Sequence, residues 1–230
     1  MVIVTFTAIK LMPLWIIRYL QYWVNDLAYT RKKDFDFMIY RHTIFSTPGL
    51  TWLLSFPARF FLWLSGWRIR GEVPELDRYI MIAAPHTSNW DFALMLGAVF
   101  TLRLDLRWMG KNSLFPGPVG WLMKWLGGIP INRSEASNVV GDMVAVFNQS
   151  KSLILLSTPE GTRSQVSKWR TGFYHIATGA SVPILPIYIH SPEKIIGFES
   201  LYTPSGDMER DMNDIKQIYE GKKGVRPEFS

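Results

Sequence analysis

The sequence predicts an α/β protein, a mostly parallel central sheet flanked by helices, preceded by an N-terminal helical segment that docks on a membrane. Three observations predict it. From Gly66 onward, short apolar runs alternate with stretches of helical spacing, the order expected when strands and helices take turns along a parallel sheet. Those runs are apolar at consecutive positions, as strands covered on both faces must be. Ahead of Gly66 the chain is dominated by two long apolar segments rich in Trp, Phe and Leu, which suits helices lying at a lipid surface.

The elements follow in chain order. Residues 1–66 are expected to form an apolar, basic, membrane-associated helical region, and residues 67–230 the α/β domain. Residues 1–24 are broken by Lys10, Pro13 and Arg18, short of the roughly 20 uninterrupted apolar residues that cross a bilayer; lying flat is favoured over spanning. No basic residue precedes the first apolar stretch, as it would in a cleaved signal peptide. Residues 50–67 hold Pro57 and Arg59 and are flanked by Arg41, His42, Arg68 and Arg70. Both segments read as interfacial or re-entrant helices, or as apolar helices packed on the core.

Strands are expected at 79–85, 128–132, 152–159 and 183–190, with helices at 91–102, 136–149 and 172–179. Pro183 and Pro186 lack an N–H, so the last strand either lies near a sheet edge or enters irregularly. The charged, Gly-containing tail from Thr203 reads as a surface helix and a loose end. No internal repeat or low-complexity tract interrupts this order.

Composition narrows the class. Hydrophobic residues make up 48% and charged residues 19%, against about 25% charged in an ordinary domain, which excludes disorder and leaves an unusually apolar surface. Cysteine is absent, excluding disulfides, thiol nucleophiles and thiolate metal sites. The formal charge is +6, of which residues 1–72, with nine bases and four acids, supply +5. Bases among long apolar runs fit an anionic lipid surface better than nucleic acid, for which no motif is present.

Three polar clusters interrupt the apolar chain: His86 to Asp91 (HTSNWD), Asn132 with Arg133, and Glu160, Gly161, Thr162 and Arg163 (EGTR). Each follows a predicted strand. In a parallel sheet, the loops after the strands emerge along one edge, where ligands bind, so three sites in sequence become one in space. His86 and Asp91 would lie about 140° apart on a regular helix, so a turn must bring them together, with Ser88 or Asn89 capping a helix near Asp91. The carboxylate would then hold one ring nitrogen as donor and free the other as base. The alternative is a helix cap beside a surface polar pair. Arg133 and Arg163 can clasp a phosphate by charge-assisted bonds or form rim ion pairs worth at most about 1 kcal/mol. Gly161 gives room for close backbone approach, and Glu160 is placed to orient Arg163. His42, His175 and His190 read as structural. Neither G-x-S-x-G nor H-E-x-x-H occurs, so acyl-enzyme and zinc-hydrolase chemistry lack their usual carriers.

Together HTSNWD (86–91), GGIPINR (127–133), PEGTR (159–163) and VPILPIYI (182–189) resemble, in order and spacing, the four blocks of the glycerolipid acyltransferase family, which includes 1-acylglycerol-3-phosphate acyltransferase. The resemblance covers residues 67–190. It implies a membrane-associated enzyme, at the cytoplasmic face of the cell or inner membrane, that moves a fatty acyl chain from acyl-CoA or acyl-carrier protein to the hydroxyl of a lysophospholipid. It further implies His86 as base, Asp91 as its partner, and Arg133 with Glu160, Gly161, Thr162 and Arg163 at the acceptor phosphate, joined by Lys111 of KNSLFPGP. The apolar N-terminal segments correspond to that family's membrane-docking helices. The scheme needs no metal and no cofactor beyond the thioester co-substrate. The sequence departs from the common pattern at Pro85, where many members have Asn, at Trp90 before the aspartate, and at Trp169 to Thr171, where a Lys-containing variant is usual. The acceptor therefore stays open, with another lyso-lipid such as a lyso-amino-acid lipid as one alternative and a non-catalytic lipid-binding protein of the same fold as the other.

Overall fold

Five parallel strands make the body of the sheet because the chain crosses over through a helix after nearly every one. A computed structural model describes residues 43–132, 136–161, 168–226 and 228; the segment 1–24, His42, Arg133, Thr162 and Arg163 lie outside them. These described residues fall in one compact unit. The elements are α1 (Leu50–Ser65), β1 (Arg68–Arg70), β2 (Arg78–Ala83), α2 (Trp90–Leu102), β3 (Leu106–Lys111), α3 (Gly117–Trp125), β4 (Gly128–Ile131), α4 (Ala136–Gln149), β5 (Leu153–Ser157), α5 (Gly172–Ala180), β6 (Ile184–His190), β7 (Ile195–Phe198) and α6 (Met208–Ile218). The strand order is β1-β7-β6-β2-β5-β3-β4. Strands β6, β2, β5, β3 and β4 are mutually parallel, whereas β7 runs antiparallel to β6 and carries β1 beside it. The mostly parallel α/β sheet expected from the sequence is present.

The core divides by the two-residue period of a strand. On β2, Ile80 and Ile82 point into a cluster with Phe147, Phe173 and Ile176 from α4 and α5. Tyr79 and Met81 point the other way, to Leu62 of α1 and to Leu94, Ala98 and Val99 of α2. Both faces of the sheet are covered, which is why the strands are apolar at consecutive positions.

β6 lies inside the sheet, not at an edge, and it accommodates Pro186 at a gap. Toward β7 the ladder runs only as far as the pairing of Ile187 with Phe198. Beyond it, the Pro186 carbonyl accepts the Glu199 N–H at 3.0 Å, and the next pairing on that side is the isolated bridge between Ile184 and Tyr202. The N–H that proline lacks would have pointed into this interval.

α1 buries Ser55, Ala58 and Leu62 and packs on α2, where a Cβ on Gly97 would sit 3.1 Å from a Leu62 methyl carbon. Its opposite side is apolar and bare, with Trp52, Phe56, Phe60 and Trp63 53–73% exposed. Among the described residues no helix is long and apolar enough to cross a membrane.

Candidate active site

Because β2 to β6 run parallel, their C-terminal ends share one edge, and the predicted polar clusters gather there. His86 follows β2, Lys111 ends β3, Asn132 follows β4, and Glu160 and Gly161 follow β5. β2 and β5 are neighbours, so the loops after them touch.

The chain leaves β2 through a cis peptide bond between Ala84 and Pro85 and turns into α2. Ser88 Oγ accepts the Trp90 N–H at 3.2 Å, while Asn89, at the cap position, makes no side-chain capping bond. Asp91 lies in the first turn of α2, where a carboxylate is favoured by the helix dipole, and its side chain folds back over the loop. Oδ2 accepts the Thr87 N–H at 2.7 Å and the Ser88 N–H at 2.8 Å. The same oxygen lies 2.9 Å from His86 Nδ1. The His86 side chain is 24% exposed and that of Asp91 6%, so the ring meets the cavity while the carboxylate that orients it is shielded. An acceptor-only carboxylate assigns the proton to Nδ1 and leaves Nε2 free to accept one.

Glu160 serves this loop directly. Its Oε2 accepts the backbone N–H of His86 at 2.6 Å. Burial pushes the Glu160 carboxyl up to about 7, with the negative Asp91 adding to the rise; the His86 N–H and the nearby imidazole oppose it. The partner expected for it, Arg163, lies outside the described residues.

A third element closes the loop from the C-terminal side. After α6, the Tyr219 hydroxyl donates to the Ile82 carbonyl at 2.7 Å, and the following residues run across the end of β6. Ser191 receives this segment: its N–H donates to the Lys223 carbonyl at 2.8 Å and its hydroxyl to the Gly224 carbonyl at 2.6 Å. His190 Nδ1 accepts the Lys223 N–H at 3.2 Å, a structural use of that histidine. Thr87 Oγ1 then accepts the Arg226 N–H at 3.0 Å. Gly224 packs so closely on Thr87 that a Cβ would strike Oγ1 and come within 2.6 Å of Cγ2. No sequence motif announced this strap; Ser, Gly and Thr in a charged tail look like any loose end.

His86 and Asp91 line a cavity of about 720 Å³ that is otherwise mostly apolar. Phe92, Met95, Ala98 and Val99 of α2 line it, and Leu104, Trp108 and Phe198 add further apolar wall. Lys111 and Leu114 line it as well, and both are solvent-exposed. Gly161 and Arg170 also contribute. An imidazole base, a buried orienting carboxylate and a long apolar pocket together can activate a hydroxyl beside an alkyl-bearing ligand.

Comparison with known proteins bears on the family and the fold. The chain is 30% identical over 125 residues to the 1-acyl-sn-glycerol-3-phosphate acyltransferase of Escherichia coli (strain K12), covering 52% of this chain and 50% of that protein. It is 28% identical over 152 residues to the enzyme of the same name from Streptococcus pneumoniae (strain ATCC BAA-255 / R6), covering 64% of this chain and 56% of that one. The chain thus spans about half the length of the curated relatives it matches. The crystal structure of the 1-acyl-sn-glycerophosphate (LPA) acyltransferase PlsC from Thermotoga maritima superposes with a TM-score of 0.52 at 15% identity, over 74% of this chain and 76% of that one, a likeness of fold. The sequence model of the family described as Acyltransferase matches residues 68–190, more than half of the chain and the span that contains every strand end at the site. The chain belongs to the Acyltransferase family.

Proposed function

We propose that the protein transfers a fatty acyl group from an acyl thioester, acyl-CoA or acyl-carrier protein, to the free hydroxyl of a lysophospholipid, with 1-acylglycerol-3-phosphate as the first acceptor to consider. The observation that carries this reading is the His86–Asp91 pair in the wall of a mostly apolar cavity of about 720 Å³. The relatives named for this acceptor support it.

The acyl chain of the donor lies in the cavity with its thioester carbonyl beside His86. Nε2 removes the proton from the acceptor hydroxyl as that oxygen attacks the carbonyl carbon. Asp91 stabilises the imidazolium through Nδ1–H. The tetrahedral intermediate expels the thiolate, which takes the proton from Nε2, leaving an ester and a free thiol. The His86 N–H is engaged by Glu160, so the donors to the developing oxyanion are other groups. General-base assistance accounts for about 10² to 10⁴-fold, roughly 3 to 5 kcal/mol, and positioning and charge stabilisation supply the rest. Lys111, Arg133 and Arg163 are assigned to the acceptor phosphate, and the exposed aromatic side of α1 to a membrane surface.

The deciding experiment is a mass-spectrometric screen of lysophospholipid acceptors with acyl-CoA and acyl-carrier donors, on wild type and His86→Ala. A new diacyl product made by wild type and reduced at least about 10²-fold in the variant supports the assignment. Equal turnover by both proteins, or no product with any acceptor, rejects it.

A further inference from the structure

The crossover from β3 to β4 carries more apolar surface than the fold uses. Gly120 is the buried residue of α3, at a point where a Cβ would collide with the Phe115 carbonyl, so the helix rests on its smallest residue and its large ones face outward. Val119 is 62% exposed, Trp121 45% and Leu122 40%, and Leu114, just ahead of the helix, 43%. Trp121 stacks on Trp125, with ring centroids 5.9 Å and planes 7° apart. Exposed apolar residues are normal one at a time, but a group this dense is the kind of patch that marks an interface. Charge points the same way. From Leu106 to Asn132 the chain holds no acidic residue, and the exposed cations there, Lys111 and Lys124, stand at the two ends of the apolar stretch. Lys111, Ser113 and Leu114 are exposed and also line the cavity that holds His86, so that cavity reaches the surface beside this patch. The Trp125 carbonyl accepts the Ile44 N–H at 2.9 Å, which ties the end of α3 to the segment leading into α1.

We propose that the surface from Lys111 to Lys124, centred on α3, docks on an anionic bilayer and sets the mouth of the His86 cavity against the lipid. This contact is made by the α/β domain itself, in addition to the one assigned to α1. The chemistry of the patch selects the occupant. Trp, Leu and Val sink into the boundary between headgroups and acyl chains, while lysines at the edge of such a surface reach anionic headgroups. An acidic protein partner would call for clustered bases; here two lysines are set apart with apolar side chains between them. With the mouth at the bilayer, a lipid passes from the membrane into the apolar cavity without its chain crossing water, which would cost the transfer free energy of every methylene exposed. The docking requires only the patch and a lipid surface, and does not depend on acyl transfer.

The chain has no cysteine, so a single introduced thiol carries a fluorophore to one chosen place. The test uses the full chain labelled with bimane in Val119→Cys, Ser113→Cys or Glu209→Cys, mixed with vesicles of phosphatidylglycerol and phosphatidylcholine that contain a doxyl-labelled quencher lipid. Glu209 is exposed on α6, which packs on the opposite face of the sheet from α3. The labels at positions 119 and 113 should be quenched on vesicle binding and the label at 209 should not. Val119→Glu and, separately, Leu122→Glu should each weaken vesicle binding about tenfold, the worth of one large apolar side chain kept out of lipid, with the melting temperature unchanged. Two substitutions keep the test open if one of them fails to fold. Lys124→Gln should weaken binding to the anionic vesicles several-fold and leave binding to pure phosphatidylcholine as it was. Unquenched labels at 119 and 113 in protein that cosediments with vesicles would leave the membrane to α1 and overturn the proposal. So would no vesicle binding, a label at 119 already shielded from iodide without vesicles, or a label at 119 that responds to acyl-carrier protein and not to lipid. Quenching needs no turnover, so a protein that docks in this way yet acylates nothing would reject the transferase reading and leave the docking surface standing.

Discussion

Glu160 Oε2 lies 2.6 Å from the backbone nitrogen of His86, so the loop after β5 holds the loop after β2. The carboxyl is pushed up to about 7 from 4.5, first by burial, meaning that the folded protein prefers it neutral. A group with a raised pKa contributes stability that is complete below its unfolded value and is lost as pH rises through its folded value. The melting temperature of the wild type should therefore carry a component that declines between about pH 5 and 8. Glu160→Gln, neutral throughout and still able to accept the His86 N–H, should remove that component and keep turnover within a few-fold. Glu160→Leu should strand the N–H at a cost of about 1 to 3 kcal/mol and lower kcat at least about tenfold. Melting curves from pH 5 to 8 with kcat for the three proteins decide; an unchanged slope in Glu160→Gln removes Glu160 as its source.

The strap makes a separate demand on the same loop. Thr87 donates its N–H to Asp91 and accepts the Arg226 N–H at its Oγ1, and Gly224 fits against it only because it has no Cβ. Gly224→Ala should push Thr87, and with it the Asp91 hydrogen bonds, out of place. We expect kcat to fall about tenfold, since displacements on the order of 1 Å at a reacting pair are this costly or more, with the donor KM little altered. Adding Thr87→Ala deletes both Oγ1 and Cγ2, the atoms in collision, and should recover most of the loss. A Gly224→Ala protein with full kcat, or a double variant no better than the single, would separate the strap from catalysis.

The exposed side of α1 predicts a surface phenotype without a folding one. Phe60 and Trp63 are 60% and 73% exposed, so replacing them loses little packing within the described fold, yet each can bury about 1.5 to 3 kcal/mol of apolar surface in a lipid interface. Phe60→Glu/Trp63→Glu should reduce cosedimentation with anionic phosphatidylglycerol vesicles more than about tenfold while leaving the melting temperature within about 1 °C. Binding equal to wild type would assign this face to something other than lipid.

How much of this was legible in the sequence depended on distance along the chain. Strands β2, β4, β5 and β6 were readable because their residues are apolar in succession, and the helices 91–102, 136–149 and 172–179 were placed to within a residue or so. β3 was not readable: Arg107, Gly110 and Lys111 break its pattern, and the buried Arg107 is paired with Asp105 and donates to the Leu106 carbonyl. β1 and β7, of three and four residues, are too short to show any period, and α3 opens on Gly117 and Pro118, which read as a turn. Within the site, His86 and Asp91 were legible because a single turn joins them. The grip of Glu160 on the His86 N–H spans 74 positions and that of Arg226 on Thr87 spans 139. Both depend on which strands are neighbours, and that is decided by the packing of the whole sheet.

The cavity beside α2 makes the last prediction geometric. Asp91, Met95 and Val99 line it one helical turn apart, and at 1.5 Å per residue the run from Asp91 to Val99 is about 12 Å long. A donor whose thioester stands at His86 must lay its chain along these turns, so a side chain added near the far end should shorten the chain that fits. Ala98 lines that end. Ala98→Phe extends into existing space, at a cost in stability of at most about 1 to 3 kcal/mol if the ring is crowded. With a series of acyl donors of increasing length, the variant should lose kcat/KM for the longest by about tenfold or more and keep it for the shortest, because each methylene forced out of the apolar cavity forfeits about 0.8 kcal/mol. The same series on Val140→Phe, which lines a separate cavity against α4 and α5, should keep the wild type's dependence on donor length. If Ala98→Phe lowers kcat/KM equally for every donor length, the chain does not run along α2, and the cavity has another occupant.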